Sequence, residues 1–251
     1  MYSTGSGQRS SWRQQASTVA LRLSLLLVLP ATLAGGGHAP PIGDQEALDS
    51  GSFTLFVHGA RIGEERFVIR EDRAGAAGPI YLARGELNLK VDGSTMRINV
   101  ALEALGSGCR PRRYEAEIDA AEPTTIVANL MRDRLRMDIK SAKGQEMKEF
   151  LVRGKTAILD RYIAHHYFFA AKLLGCESGS AAGIIVPRER NYYSARIVDQ
   201  GEETVRVAGQ ELRLRHVTIT PQGGSARHVW LDGDKVMKVH NPETGFLAER
   251  S

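Results

Sequence analysis

Two adjacent histidines, His165 and His166, stand in the stretch DRYIAHHYFFAAKLLG, Asp160 to Gly175, with Asp160 and Tyr167 close by. These are residue types that do acid–base chemistry. An imidazole holds or passes a proton near neutral pH, and a carboxylate or phenol beside it can orient it. A hydrolase or isomerase using His166 with Asp160 or Tyr167 is therefore one reading. Metal chelation by the pair is disfavoured, because adjacent residues of a helix project about 100° apart. On a helical wheel His165 falls with Arg161 and Lys172 in a narrow polar stripe, whereas His166 lies between Leu173 and Ala170 in an apolar arc. His166 is expected either as a core histidine with one hydrogen-bond partner or as a polar group orienting a ligand headgroup inside an apolar cavity.

Three of the other histidines, His216, His228 and His240, fall in the last strands of the chain. A two-residue turn at Asp232-Gly233 sets Trp230 opposite Lys235, His228 opposite Met237 and Ser225 opposite His240, which keeps the histidines apart. A three-residue loop at Pro221 to Gly223 would bring His216 opposite His228, and a four-residue loop would put them on opposite faces. There is no Gly-x-Ser-x-Gly, His-Glu-x-x-His, phosphate loop or Gly-x-Gly-x-x-Gly, and Ser178 and Ser180 lack the glycine spacing of a nucleophile elbow. The chain is expected not to be an enzyme, with no catalytic residue, no cofactor and no metal. Its two cysteines, Cys109 in a Gly-rich turn and Cys176 just past the helix, form a candidate disulfide that would stabilise by about 4 kcal/mol. Two unpaired buried thiols are the alternative. Without Cys-x-x-Cys, zinc and thioredoxin-like readings have no footing.

These residues need elements to position them. The stretch from Asp160 to Gly175 reads as a helix capped by Asp160 and ended by Gly175, with Ile163, Tyr167, Ala170 and Leu174 at the centre of its apolar arc. An arc covering well over half the circumference suits a helix enclosed by a curved sheet. The rest of the chain alternates at period two. Met96, Ile98, Val100 and Leu102 oppose Arg97, Asn99, Ala101 and Glu103; Leu135, Met137 and Ile139 oppose Arg134, Arg136 and Asp138. One dry and one wet face through so many strands indicates an antiparallel sheet. The parity change between Leu214 and Val217 predicts a β-bulge near Arg215 and His216. The expected architecture is mainly β: a curved antiparallel sheet, a half-barrel or incomplete β-barrel, wrapped around one central helix at about 160–175.

The first residues read differently. Arg9, Arg13 and Arg22 precede the apolar run Leu23 to Leu29 and the small residues Ala31 to Gly35, the pattern of a secretory signal peptide over 1–34. Cleavage is expected near Ala34, with Ala39 second and an uncleaved anchor as the alternative. Gly36 stands where a lipoprotein would need its acylated Cys. Residues 35–51 read as a linker and 52–251 as one domain. The 251-residue chain carries a formal +4, which falls to +1 without those three arginines. Nothing then points to nucleic acid, and no transmembrane segment remains after cleavage. A periplasmic or secreted location follows.

Three stretches, FTLFVHGARIGEERFVI, ILDRYIAHHYFFAAKLL and HVWLDGDKVMKVHNPETGFLAER, together resemble a family of exported bacterial β-rich domains of unknown function, over most of Ser52 to Arg250. That family is similar in architecture to the LolA/LolB-type periplasmic lipoprotein carriers, whose incomplete barrel shelters acyl chains around several helices. The resemblance implies a periplasmic protein binding an apolar or amphipathic ligand, a lipid or acyl chain, between the concave sheet and the helix. Such a ligand would lie against His166, Tyr167, Phe168, Phe169, Met96, Ile98, Val100, Leu135 and Met137. The other reading is a structural or interaction component of the cell envelope, with a filled core and an envelope protein as partner.

Overall fold

The structure, a computed structural model, describes residues 47–72, 78–152, 154–176 and 181–251. The leader and its processing site lie outside these residues, as does most of the stretch read as a linker. The end of that stretch is strand, however: β1 runs Ala47–Val57, so regular structure begins before Ser52. Its early start has a physical cause. Asp49 is buried and takes two hydrogen bonds from the Arg250 guanidinium, at 2.6 and 3.0 Å, which ties the first strand to the last.

Fifteen strands make one curved sheet. After β1 come β2 (Ala60–Asp72), β3 (Ile80–Val91), β4 (Ser94–Leu105), β5 (Arg110–Asp119), β6 (Thr124–Met131), β7 (Arg134–Ser141) and β8 (Gly144–Leu151). Then follow β9 (Thr156–Ile158), the helix α1 (Tyr167–Lys172), β10 (Ala181–Val186), β11 (Asn191–Val207), β12 (Gln210–Pro221), β13 (Arg227–Asp232), β14 (Lys235–Asn241) and β15 (Phe246–Arg250). Sequence neighbours pair along the sheet, β1 joins β15, and β8 and β9 are its two ends, so the sheet is not closed. The architecture is β-barrel-like. The β9 end turns inward, and the residue two beyond it, Asp160, reaches the inner face of β5 at Tyr114.

Alternation is realised as expected in the first half. Ile98, Val100, Leu102, Leu135, Met137 and Ile139 are all buried, against exposed Arg97, Asn99, Arg134 and Arg136. Burying each such side chain stabilises by about 1.5–3 kcal/mol. The tight hairpin at Asp92-Gly93, with φ of 50° and 80°, has the left-handed backbone that a two-residue turn needs to match strand twist.

Three expectations are corrected. The sheet is antiparallel except between β9 and β10, which run parallel. Parallel neighbours cannot be joined by a hairpin and need a crossover, and the segment carrying α1 is that crossover. The helix is also shorter than the pattern implies: residues 160–166 are turns, a bend and irregular backbone, α1 spans Tyr167–Lys172, and a 3-10 turn follows at Leu173–Cys176. Asp160 is not its cap. Its carboxylate is taken by Arg161 N–H, the Tyr114 hydroxyl and Arg188, and Tyr162 has a left-handed φ of 66° that no helix accommodates. Finally, the bulge lies on the facing strand. Asp199 pairs with Val217 and Gly201 with His216, so the extra residue is Gln200, within a β11 that runs unbroken past Gly201.

Candidate functional site

The densest polar chemistry lies in the core. Both histidines are buried, His165 at 1% and His166 at 0% exposure. The wheel places His165 in a solvent-facing stripe, but it applies only to helix, and residues 160–166 are not helical. Instead His165 Nδ1 shares a hydrogen bond with Oε1 of Glu65, a carboxylate 0% exposed on β2. The other oxygen of Glu65 accepts the Ala164 N–H at 2.7 Å. The His165 ring stacks on Phe67, centroids 5.5 Å apart, and Phe67 stacks on Phe53. This column has room because Gly85 faces it: a β-carbon there would fall 2.6 Å from His165 Cε1.

His166 is a core histidine, without the single partner expected of it. Neither ring nitrogen finds a hydrogen bond among the described residues, and its neighbours are the edges of Tyr114 and His165. Burial pushes its pKa well below 6.5, so the ring is neutral. Beside it the Tyr114 hydroxyl donates to Asp160 Oδ2 at 2.5 Å, and Arg188 Nε lies 3.2 Å from Asp160 Oδ1. Burial holds the Tyr114 phenol protonated far above its usual range.

Glu65 and Arg188 do not figure among the residues singled out from the sequence. For Glu65 a signal exists: it shares the inward parity of Phe67 and Ile69 on the same strand. A carboxylate on an otherwise apolar face needs a buried partner. Nothing local in the sequence identifies Arg188.

The residues expected to line a ligand cavity are together, packed into one core. Ile98, Leu135 and Met137 are 0% exposed, Phe168 and Phe169 1%, Val100 and Tyr167 4%, and Met96 is half-buried against the same cluster. Cys109 is buried in a left-handed turn at φ 46°. The side chain of Cys176, the other half of the candidate disulfide, lies outside the described residues.

Along one edge of this core is a recess of about 220 Å³, lined by Asp160, Arg161, Tyr162, Tyr167, Glu189, Arg227, Asn241, Thr244 and Phe246 among others. The Tyr162 ring sits between the guanidinium groups of Arg161 and Arg188, at 4.9 and 5.8 Å, and against Phe246 at 5.8 Å.

The closing histidines meet after all. The β13–β14 hairpin turns at Gly233-Asp234, one residue later than expected, and Met237 is an extra residue on β14, so Trp230 pairs with Lys238 and His228 with His240. His216 pairs with Trp230 and is the diagonal neighbour of His228, its Nε2 2.9 Å from His228 Nδ1, and its ring stacks on Trp230 at 4.9 Å. Among the described residues no group of three His, Cys, Asp or Glu is arranged to hold a metal ion. Burial lowers the pKa of His216 and of His240 below 6.5, while Trp230 Nε1 donates to Glu203 at 2.5 Å. The bond between His216 and His228 requires one unprotonated nitrogen. Acidification below the lowered pKa of His216 is expected to protonate that ring and shift the fluorescence of the stacked Trp230, with the shift abolished in His216→Leu; a pH-independent spectrum in the wild type would refute the coupling.

Fold and site together define a β-barrel-like protein whose core holds buried polar groups. No family model matches the chain, and no curated protein matches it. Among solved structures it is similar to a β-barrel-like protein of the domain of unknown function DUF1849 from Brucella abortus, at 10% identity and a TM-score of 0.48, over 80% of this chain and 94% of that one. No helix among the described residues is long and apolar enough to cross a membrane.

Proposed function

We propose that this protein is a non-enzymatic component of the cell envelope that acts by recognising a partner at its surface, its interior being filled rather than loaded with lipid. One observation carries this reading. A void wide enough for an acyl chain would leave the side chains around it open to water-sized space, yet Leu135, Met137, Phe168 and Phe169 are 0–1% exposed. A carrier of the LolA/LolB type would hold its acyl chain beneath the helix, where these side chains belong to one buried cluster. Export rests on the leader with Arg9, Arg13 and Arg22 and on processing near Ala34. A non-enzymatic role is supported by the sequestration of His166, which is 0% exposed and has no hydrogen-bonding group at its nitrogens among the described residues.

The test is fractionation of cells expressing the full chain, followed by native mass spectrometry of the purified protein. A periplasmic protein of leader-processed mass, with no co-purifying lipid, is the expected result. A stoichiometric acyl lipid on the purified protein would restore the carrier reading, and a cytoplasmic, unprocessed chain would remove the envelope from it.

A further inference from the structure

The two ends of the open sheet differ. Strand β9 is buried throughout, whereas β8 pairs only with β7, and every residue of it except Glu146 and Phe150 is exposed. The hydrogen bond from Val152 N–H to the Asp133 carbonyl, 2.7 Å long, fixes which way the backbone of this strand faces. Orientation alternates along an antiparallel pair. Phe150, Lys148 and Glu146 therefore turn their N–H and C=O groups toward β7, and Leu151, Glu149, Met147 and Gln145 turn theirs to the free edge. Among the described residues no protein group bonds to these outward amides and carbonyls. A row of unmet backbone groups is a template for another strand.

Proteins commonly guard such an edge with charge, and β8 carries Glu146, Lys148 and Glu149. Their order decides what the guard admits. Two copies of one strand meet antiparallel about a twofold axis, and outward-turned residues must face outward-turned residues, so the axis passes through a residue rather than between two. Centred on Glu146, Lys148 or Glu149, it sets that charge against its own copy. Centred nearer either end, it leaves little of the strand overlapped. Centred on Met147, it sets Glu146 against Lys148 and Lys148 against Glu146, with Met147 on Met147 and Gln145 opposite Glu149. Opposite charges directly across a strand pair are favourable and like charges unfavourable. The charges thus leave one register open instead of closing the edge.

We propose that β8 pairs antiparallel with β8 of a second copy of this chain, in the register centred on Met147, and so joins two sheets into one. The remaining acid of the strand is already balanced, because Glu149 lies 3.5 Å from Arg134, and Arg190 adds a second positive charge 3.0 Å from Glu146. The apolar surface agrees with the placement. Met131, Met147 and Leu151, three of the four large hydrophobic side chains exposed among the described residues, lie on the outer face at this end of the sheet, and pairing covers Met147. The interface is isologous, each residue meeting its partner twice, and a contact one strand long gives a weak pair. It is independent of where the protein resides, since it needs neither export nor an envelope partner.

Sedimentation velocity of the purified protein, at concentrations rising into the millimolar range, is the first test. A reversible dimer is expected, and nothing larger, since each copy has one such edge. Lys148→Glu and Glu146→Lys should each weaken the dimer about tenfold or more by setting like charges face to face. An equimolar mixture of the two variants should regain it, because positions 146 and 148 of one then face the opposite charge on the other. Met147→Pro removes an N–H that faces the free edge, where proline is tolerated, so it should abolish the dimer and leave the far-ultraviolet dichroism unchanged. In a Cys176→Ser background, Met147→Cys should cross-link on oxidation, the Cα atoms of such a pair being about 5.5 Å apart, and Glu149→Cys should not. A monomer at every concentration would overturn the proposal and leave the edge to a strand from another protein. A dimer that persists in Met147→Pro, a mixture that stays monomeric, or equal cross-linking at both positions would overturn it too.

Discussion

Replacing Glu65 by alanine is expected to lower the free energy of unfolding by ~3–5 kcal/mol, the cost of removing one member of a buried polar pair. Its two oxygens hold the Ala164 N–H and His165 Nδ1, and all of these atoms are shut away from water. Truncation strands both partners at once. It also opens space beneath the His165 ring, which is fixed from the other side by the bare backbone of Gly85 and by the face of Phe67. Against a typical domain stability of about 5–15 kcal/mol, such a loss is close to unfolding. Urea denaturation should show a lower midpoint with an unchanged slope. Glu65→Gln keeps an acceptor for Ala164 and a polar group beside His165, so its cost should be smaller, about 1 kcal/mol. If alanine and glutamine cost the same, the hydrogen bonds are not what holds residues 160–166 in place.

The expected size of that effect follows from how the crossover is built. Between β9 and α1 the chain makes turns rather than helix, and its backbone must find partners other than a helical ladder. Glu65 supplies one to Ala164, and Asp160 supplies its own to Arg161 and Ile163. Asp160 thereby joins two places. Through Tyr114 and Arg188 it belongs to the buried cluster, and it also lines the recess where Tyr162, Arg227 and Asn241 meet.

Strand identity and face were legible in the sequence where local alternation was strong. In β4 and β7 the period-two pattern names the buried residues correctly, because one face of those strands packs on the core and the other meets water. The crossover was misread for a physical reason. Its apolar residues are spaced as a helix would space them, but every residue from Tyr162 to Ala170 is buried, so periodicity carries no information about which face is which. Tertiary bonds at Asp160 and Glu65 then override helix propensity. The histidine register failed through the accumulation of small shifts. A turn displaced to Gly233-Asp234 and an extra residue at Met237 together exchange the partners of Trp230 and His228. The inward Glu65 was open to inference from parity alone. Arg188, Arg227 and Asn241 were not, since the curl of the sheet brings them to Asp160 and Tyr162 from elements far apart in sequence.

His166 should make this fold sensitive to acid before any carboxylate does. The imidazole is fully buried, neutral, and held well below its ordinary pKa of 6.5, mainly by burial and then by the charge of His165 and Arg188. In the unfolded chain it titrates near 6.5. Below that pH the unfolded state takes up a proton that the native state refuses, so stability is at its full value above about pH 6.5 and falls as pH is lowered toward the depressed native pKa. One such group contributes a slope of about 1.4 kcal/mol per pH unit in that window. Ordinary carboxylates titrate about two units lower, which leaves the interval between pH 5 and 6.5 to the histidines. His166→Leu removes a side chain whose nitrogens have no described partner and puts an apolar group of similar size in its place. Its stability at pH 7 is expected to stay within about 1.5 kcal/mol of the parent. Urea midpoints measured across this interval should fall more steeply in the parent than in the variant, so that the variant is the more stable of the two at pH 5. Parallel curves would mean that the buried ring finds a proton-accepting partner in the native state.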